Sequence, residues 1–272
     1  MGCIRVTPRP SYYRELACKT PPAEPIMTDR ITVCFKIKGP TACLITKKQA
    51  AIRDVVASVL HDRGNYHRQY NHTDDLGYFT WDSVILHQTT LAIGPVDLPR
   101  LGEFEPLINA LAEKGWQPDG DTAVTFFPGQ RSPSILYNLV TIIESRRPLI
   151  EKALGLTDTL TTFINDGLAL SISLSAFSYP RIEASAYLMA QACRTAESTG
   201  KARMKPCDMS NPRFQMRSWL LRLGFIGDSF ERPRRTLMEM LDGDSAFFTE
   251  EQRYQAMTKR KTRQKLCRLI CP

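Results

Sequence analysis

Apolar positions along the chain change period several times, and each change predicts an element. Ile31, Val33, Phe35 and Ile37 alternate with Thr32, Cys34, Lys36 and Lys38. That alternation predicts a strand with one buried face, closed by Gly39-Pro40. Beyond Thr46, a suitable helix cap, Ile52, Val55, Val56, Val59 and Leu60 recur at helical spacing. Residues 61–75 are polar and His-rich and predict a loop. Tyr78–Leu86 and Thr89–Ile93 predict two or more short strands that turn at Asp82-Ser83 and stop at Gly94-Pro95. Phe104, Leu107, Ile108, Leu111 and Ala112 then share one helical face, ended by Lys114-Gly115.

The order then starts again. Thr122–Phe127 predicts a strand. Ser134 can cap a long helix carrying Ile135, Leu139, Ile142, Ile143, Ile150 and Leu154, with Gly155 past its end and Pro148 kinking or splitting it. Thr161–Ile164 and Leu168–Leu174 predict strands around Asn165-Asp166-Gly167, a tight-turn signal. Pro180 opens a helix with Ile182, Ala186, Met189, Cys193 and Ala196 inward. Strand, helix, strands, helix therefore occurs twice, near 31–114 and near 122–198.

After residue 200 the pattern differs. Asn211 and Pro212 form a cap and first-turn pair for a helix over 213–223, ended by Gly224. Ser229 can cap a second helix with Pro233 in its first turn and Leu237 and Leu241 inward. The two make a helical hairpin, in outline like a helix-turn-helix. Residues 249–268 read as a frayed helix or an unstructured basic tail. The predicted fold is α+β: two similar strand-helix-strand-strand-helix modules, then a C-terminal helical hairpin and a basic tail. The divisions are a flexible Pro-rich arm at 1–26, modules at 27–118 and 119–200, the basic hairpin at 201–248 and the tail at 249–272. Met27, directly before the first strand, is a second candidate for the start of translation.

Charge sharpens this division. The 272 residues hold 36 Lys+Arg and 28 Asp+Glu, a formal net charge of +8. Residues 1–200 carry 20 of each sign, so the whole excess lies in the last 72 residues. A neutral body with a basic end predicts an anionic partner for that end. Eight cysteines show no CxxC pair and no metal spacing with histidine, which predicts reduced thiols in a cytoplasmic protein. No apolar run is long enough to span a membrane, and the opening residues lack the apolar core of a signal peptide.

The search for chemistry turns up little. His61, His67 and His72 share a polar stretch with Asp62, Asp74 and Asp75, but their spacing matches no closed zinc pattern. No GxSxG, HExxH, Walker or GxGxxG motif occurs, so no catalytic residue, metal or cofactor is assigned. Asp242 and Asp244, two apart around Gly243, read as turn and cap residues. The basic end is more specific. Arg213 and Arg217 are four apart on one helical face, Arg222 lies near the hairpin turn, Arg234 and Arg235 open the second helix, and Lys201, Arg203 and Lys205 lie on the approach. Clustered cations with Phe214, Trp219 and Phe225 among them suit phosphate contact. The competing reading puts the aromatics in the core and pairs the arginines with Asp228, Glu231 and Glu239 on the surface.

The stretch Phe214–Phe247, above all LLRLGFIGDSF followed by a basic helix and GDSAF, resembles a small family carried by prophages and conjugative elements of gut Firmicutes and labelled "virulence-related protein". The likeness extends over about 27–248 and includes LIEKALGL at Leu149–Leu156 and the basic approach to the hairpin. It implies a mobile-element origin, a bacterial cytosol and a role in element biology or conflict with the host, with no reaction attached. The expected function is non-enzymatic nucleic-acid binding, to DNA or RNA, through the hairpin. Two alternatives stand beside it: an anti-defence, anti-CRISPR-like inhibitor that binds a host nuclease complex, and a metal-dependent nuclease using acids in the 61–82 region.

Overall fold

A computed structural model describes residues 29–270, apart from 39–44, 61–66, 72–73, 82, 88, 120–121, 157–158, 165–166 and 175–177. In chain order the first module comprises β1 (Arg30–Lys38), α1 (Ile45–Val59), β2 (His67–Asn71), β3 (Asp74–Trp81), β4 (Val84–His87), β5 (Thr90–Val96), α2 (Leu98–Leu101), a short 3₁₀ turn at Gly102–Phe104 and α3 (Glu105–Glu113). The two-residue β6 (Gln117–Pro118) leads into the second module. That module comprises β7 (Thr122–Phe127), α4 (Pro133–Glu144), α5 (Arg147–Leu154), β8 (Thr159–Ile164), β9 (Gly167–Leu174) and α6 (Tyr179–Ser198). The C-terminal part holds α7 (Pro212–Arg222), a 3₁₀ turn at Asp228–Phe230, α8 (Glu231–Glu239) and α9 (Glu250–Ile270).

The fold is α+β, and all the strand pairings are antiparallel. The strand order is β2-β3-β4-β5-β1-β7-β9-β8, with β6 paired to β1 off this path. At its centre the opening strands of the two modules pair with each other, Val33 opposite Val124 and Ile31 opposite Phe126. Outward from that pair the neighbour on each side is the last strand of its own module, β5 on one side and β9 on the other. Beyond them come β4 and β8. As far as β4 and β8 the order thus reads the same in both directions from the centre, and β3 and β2 extend the β1 side alone.

Alternation sets the two faces of the sheet. Ile31, Val33, Phe35 and Ile37 are buried, and across the ladder they meet Leu91, Ile93, Val124 and Phe126. Continuing outward, Leu170, Ile172 and Leu174 face the same way. One contiguous cluster joins these residues to the apolar faces of α1, α3, α4, α5 and α6. α6 is buried on most of its circumference. One side lies on β7 and β9, another on α4, and a third on α8. Its alanines, Ala184, Ala186, Ala190, Ala192 and Ala196, let those neighbours approach closely. Met216, Trp219, Leu220, Leu223, Phe225, Leu237 and Leu241 of the C-terminal hairpin are buried in the same cluster.

Several local expectations change. The polar stretch 61–75 holds a strand, β2, paired with β3, where a loop was expected. HRQYN has no apolar alternation to mark it as a strand, and it forms the outermost strand of the sheet. β5 runs through Gly94-Pro95 to Val96 and does not stop there, with the β1 register shifting between Ile31 and Val33. Gly94 has φ +120°, and a Cβ there would collide with the Ile31 carbonyl oxygen, so glycine alone lets the strand continue. The long second-module helix divides at Ser145-Arg146, ahead of Pro148, and starts after Ser132, not Ser134. Gly155 at φ +63° closes its second piece as expected. The expected turn residues Asn165 and Asp166 lie outside the described residues, as do His61, Asp62 and His72. Among the described residues no helix is long and apolar enough to cross a membrane.

Candidate nucleic-acid interface

The basic end is built from the exit of α6 onward. Asn138 on α4 is 4% exposed and fixes that exit. Its amide donates to the Thr199 carbonyl at 2.7 Å, and its oxygen accepts from the Ala202 amide at 2.9 Å. The chain then runs without regular structure to α7, exposing Lys201, Arg203 and Lys205.

α7 starts as the sequence predicts. The Asn211 side-chain oxygen accepts from the Phe214 amide at 3.1 Å, and Pro212 occupies the first turn. The Asn211 amide reaches the carbonyls of Phe247 and Phe248 at 2.9 and 3.2 Å, tying the segment after α8 to this cap. Arg213 and Arg217 share a face, as expected. Arg217 donates to the Ser245 carbonyl at 3.1 Å, and the Arg213 charge helps hold the Asp244 carboxyl below its usual value. Asp244 mainly caps the Ala246 amide at 2.7 Å, and Asp242 pairs with Lys152 at 2.8 Å. Asp244 is thus a cap acid as expected, whereas the Asp242 carboxylate serves an ion pair. Arg222 lies about 180° around the helix from Arg213, since nine residues at 100° each separate them.

At the far end the turn Leu223–Gly227 joins α7 to the second helix. Gly224 closes α7 at φ +83°. Ser229 lies inside the 3₁₀ turn and makes no side-chain cap, so the second helix starts at Glu231, later than Ser229 suggests. Arg234 donates to the Phe225 carbonyl at 3.0 Å, and Arg235 is exposed on the next residue. Burial first, and the nearby Arg146 guanidinium second, lower the pKa of Arg222 from its ordinary value.

The eight predicted cations therefore fall into three groups: the approach, the start of α7 and the hairpin turn. Among the described residues none of the eight makes an ion pair within 4.0 Å. The pairs of the competing reading, with Asp228, Glu231 and Glu239, do not form among the described residues. On the body Arg30 meets Asp97 at 2.6 Å, and Arg131 meets Asp29 and Glu197 at 2.7 Å each, whereas Lys38, Lys114, Arg181 and Arg194 make no ion pair among the described residues. Trp219 and Phe225 are buried, and Phe214 packs on Phe248 at 5.5 Å between ring centres. Trp219 and Phe225 thus build the hairpin core, and Phe214 is half-buried against Phe248.

The sequence reading missed Arg232. It donates to both Glu105 oxygens at 2.5 and 3.0 Å, lies 3.2 Å from Glu183 and stacks 4.9 Å over the Tyr179 ring. It clamps the hairpin to both modules' helices. Nothing in the local sequence separates it from Arg234 and Arg235, because its partners lie 49 or more residues away. Arg146 was missed for the same reason.

Fold and surface together define an antiparallel α+β protein whose C-terminal part carries eight cations without an ion pair among the described residues. No family model matches the chain, and no curated protein is similar to it.

Proposed function

We propose that this is a mobile-element-encoded nucleic-acid-binding protein that acts by binding and not by turnover, through the basic hairpin. The observation that carries the reading is a group of eight cations without a carboxylate partner. Of the nine at 201–235 only Arg232 pairs, with Glu105 and Glu183, among the described residues. Unpaired cations at the surface of a folded platform are available to displace counterions from phosphates. α9 adds Lys259, Arg260 and Lys261, exposed on a helix of 21 residues, about 31 Å long. The likeness of Phe214–Phe247 to the mobile-element family supports the biological setting.

The test is charge reversal on one face of α7. Arg213→Glu with Arg217→Glu is expected to weaken binding at least about tenfold on unrelated sequences alike, because phosphate contacts carry no sequence information. Fluorescence anisotropy with two unrelated duplexes reads this out. Unchanged affinity on both would reject the interface.

A further inference from the structure

Two apolar side chains stand out at the hairpin turn. Ile226 is 65% exposed and Leu221 46% exposed, although Leu223 and Phe225 between them are core. The turn that presents Ile226 is fixed on both sides. Gly224 and Gly227 adopt φ +83° and +92°. The Ile226 amide donates to the Gly224 carbonyl at 2.8 Å. Phe225 is fully buried 5.2 Å from Phe230, and Arg234 holds its carbonyl. A β-branched side chain on so constrained a backbone has few conformations to lose on contact.

The surroundings of this tip are cationic. Arg222 follows Leu221 directly, and Arg146, at the junction between α4 and α5, is near enough for its charge to add to burial in lowering the Arg222 pKa. Neither has an ion-pair partner among the described residues. Two guanidiniums held near each other repel unless an anion lies between them. Arg234 completes the set. Asp228 is the exposed acid of the turn, and it leaves the tip net positive.

We infer that the hairpin tip is a wedge for duplex DNA: Ile226, with Leu221 beside it, enters between two base pairs while Arg146, Arg222 and Arg234 hold the flanking phosphates. This rests on the nucleic-acid reading and specifies its ligand. A stack of base pairs offers an apolar slot edged by regularly spaced anions, which is the complement of an apolar tip edged by cations. Apolar wedges of this kind unstack a step and kink the duplex by about 20–90° toward the major groove. Pyrimidine–purine steps yield most easily.

The experiment uses the full chain and a duplex of roughly 20 base pairs with a donor and acceptor at its ends and 2-aminopurine at a central T-A step. Binding is expected to shorten the end-to-end distance and to raise the 2-aminopurine fluorescence. Ile226→Ala, a change at an exposed position, is expected to keep affinity within about tenfold and to lose both signals. Salt-sensitive binding without either signal, or signals unchanged in Ile226→Ala, would overturn the wedge and leave phosphate binding intact. A wild-type chain that fails to bind duplex at about 50 mM salt would overturn the wedge together with the reading beneath it.

Discussion

Glu183 holds a carboxylate where the fold least favours one. Its Oε2 atom is buried and 3.2 Å from Arg232 Nε, without an aligned hydrogen bond. Burial raises its pKa above the ordinary 4.5, the Arg232 charge pulls the other way, and Glu105 adds to the rise. A carboxyl raised on folding favours the protonated native state. Its contribution is complete below the unfolded value and is lost as pH rises through the folded one. Glu183→Gln keeps a neutral group there at every pH. The variant is therefore expected to gain stability relative to wild type as pH rises from about 4 to about 7, checked by paired thermal melts. A difference that stays constant across that range would contradict the assignment. At this scale the sequence shows little of the clamp. Arg232, Glu105, Glu183 and Tyr179 come from three separate helices, and only folding joins them.

Helices and strands were legible where one face is buried and the caps are local. β1 alternates because its partners β5 and β7 supply apolar residues on one side only, and α7 starts at Asn211 because the cap acts within three residues. β2 was not legible, since an outer polar strand carries no periodic signal. α9 belongs to a third case. It is a helix of 21 residues that starts at a reciprocal cap, the Gln252 amide donating to Thr249 and the Phe248 amide to Gln252. Its residues from Glu251 to Thr262 are exposed or nearly so. Over Glu251–Thr262 it contributes charge and almost no core. Ending the chain at Phe248 is expected to move the thermal midpoint by less than about 2 °C. The same truncation is expected to weaken nucleic-acid binding and to reduce the salt slope, by about 0.9 for each phosphate of duplex DNA that α9 neutralises. Calorimetry and anisotropy on the truncated chain check both halves. A large fall in the midpoint would mean that α9 packs on the body.

Over the whole molecule, the charge division read from the sequence places most of the unpaired arginines of the described residues in the C-terminal part. The doubled module order was visible as a repeat of elements, but the sheet that joins them through β1 and β7 was not, because strand order depends on residues distant in sequence. The hairpin likewise read as a separate unit, whereas its Trp219, Phe225 and Leu237 share the core of the body and Arg232 locks it in place. That rigidity would turn the proposed interface from a diffuse positive field into a defined surface of cations. Burial of Trp219 and Phe225 leaves the arginines as the proposed binding groups.

The central claim is that these unpaired arginines bind phosphates, and the salt dependence of binding tests it most directly. With about six phosphates neutralised, the logarithm of the duplex affinity should fall with the logarithm of salt concentration at a slope near −5, or about −4 on single strands. Replacing Arg213, Arg217 and Arg222 together by glutamine should lower the magnitude of the duplex slope by about 2.7, since each of the three side chains accounts for about 0.9. A flat plot, or a slope the triple variant leaves unchanged, would contradict the account.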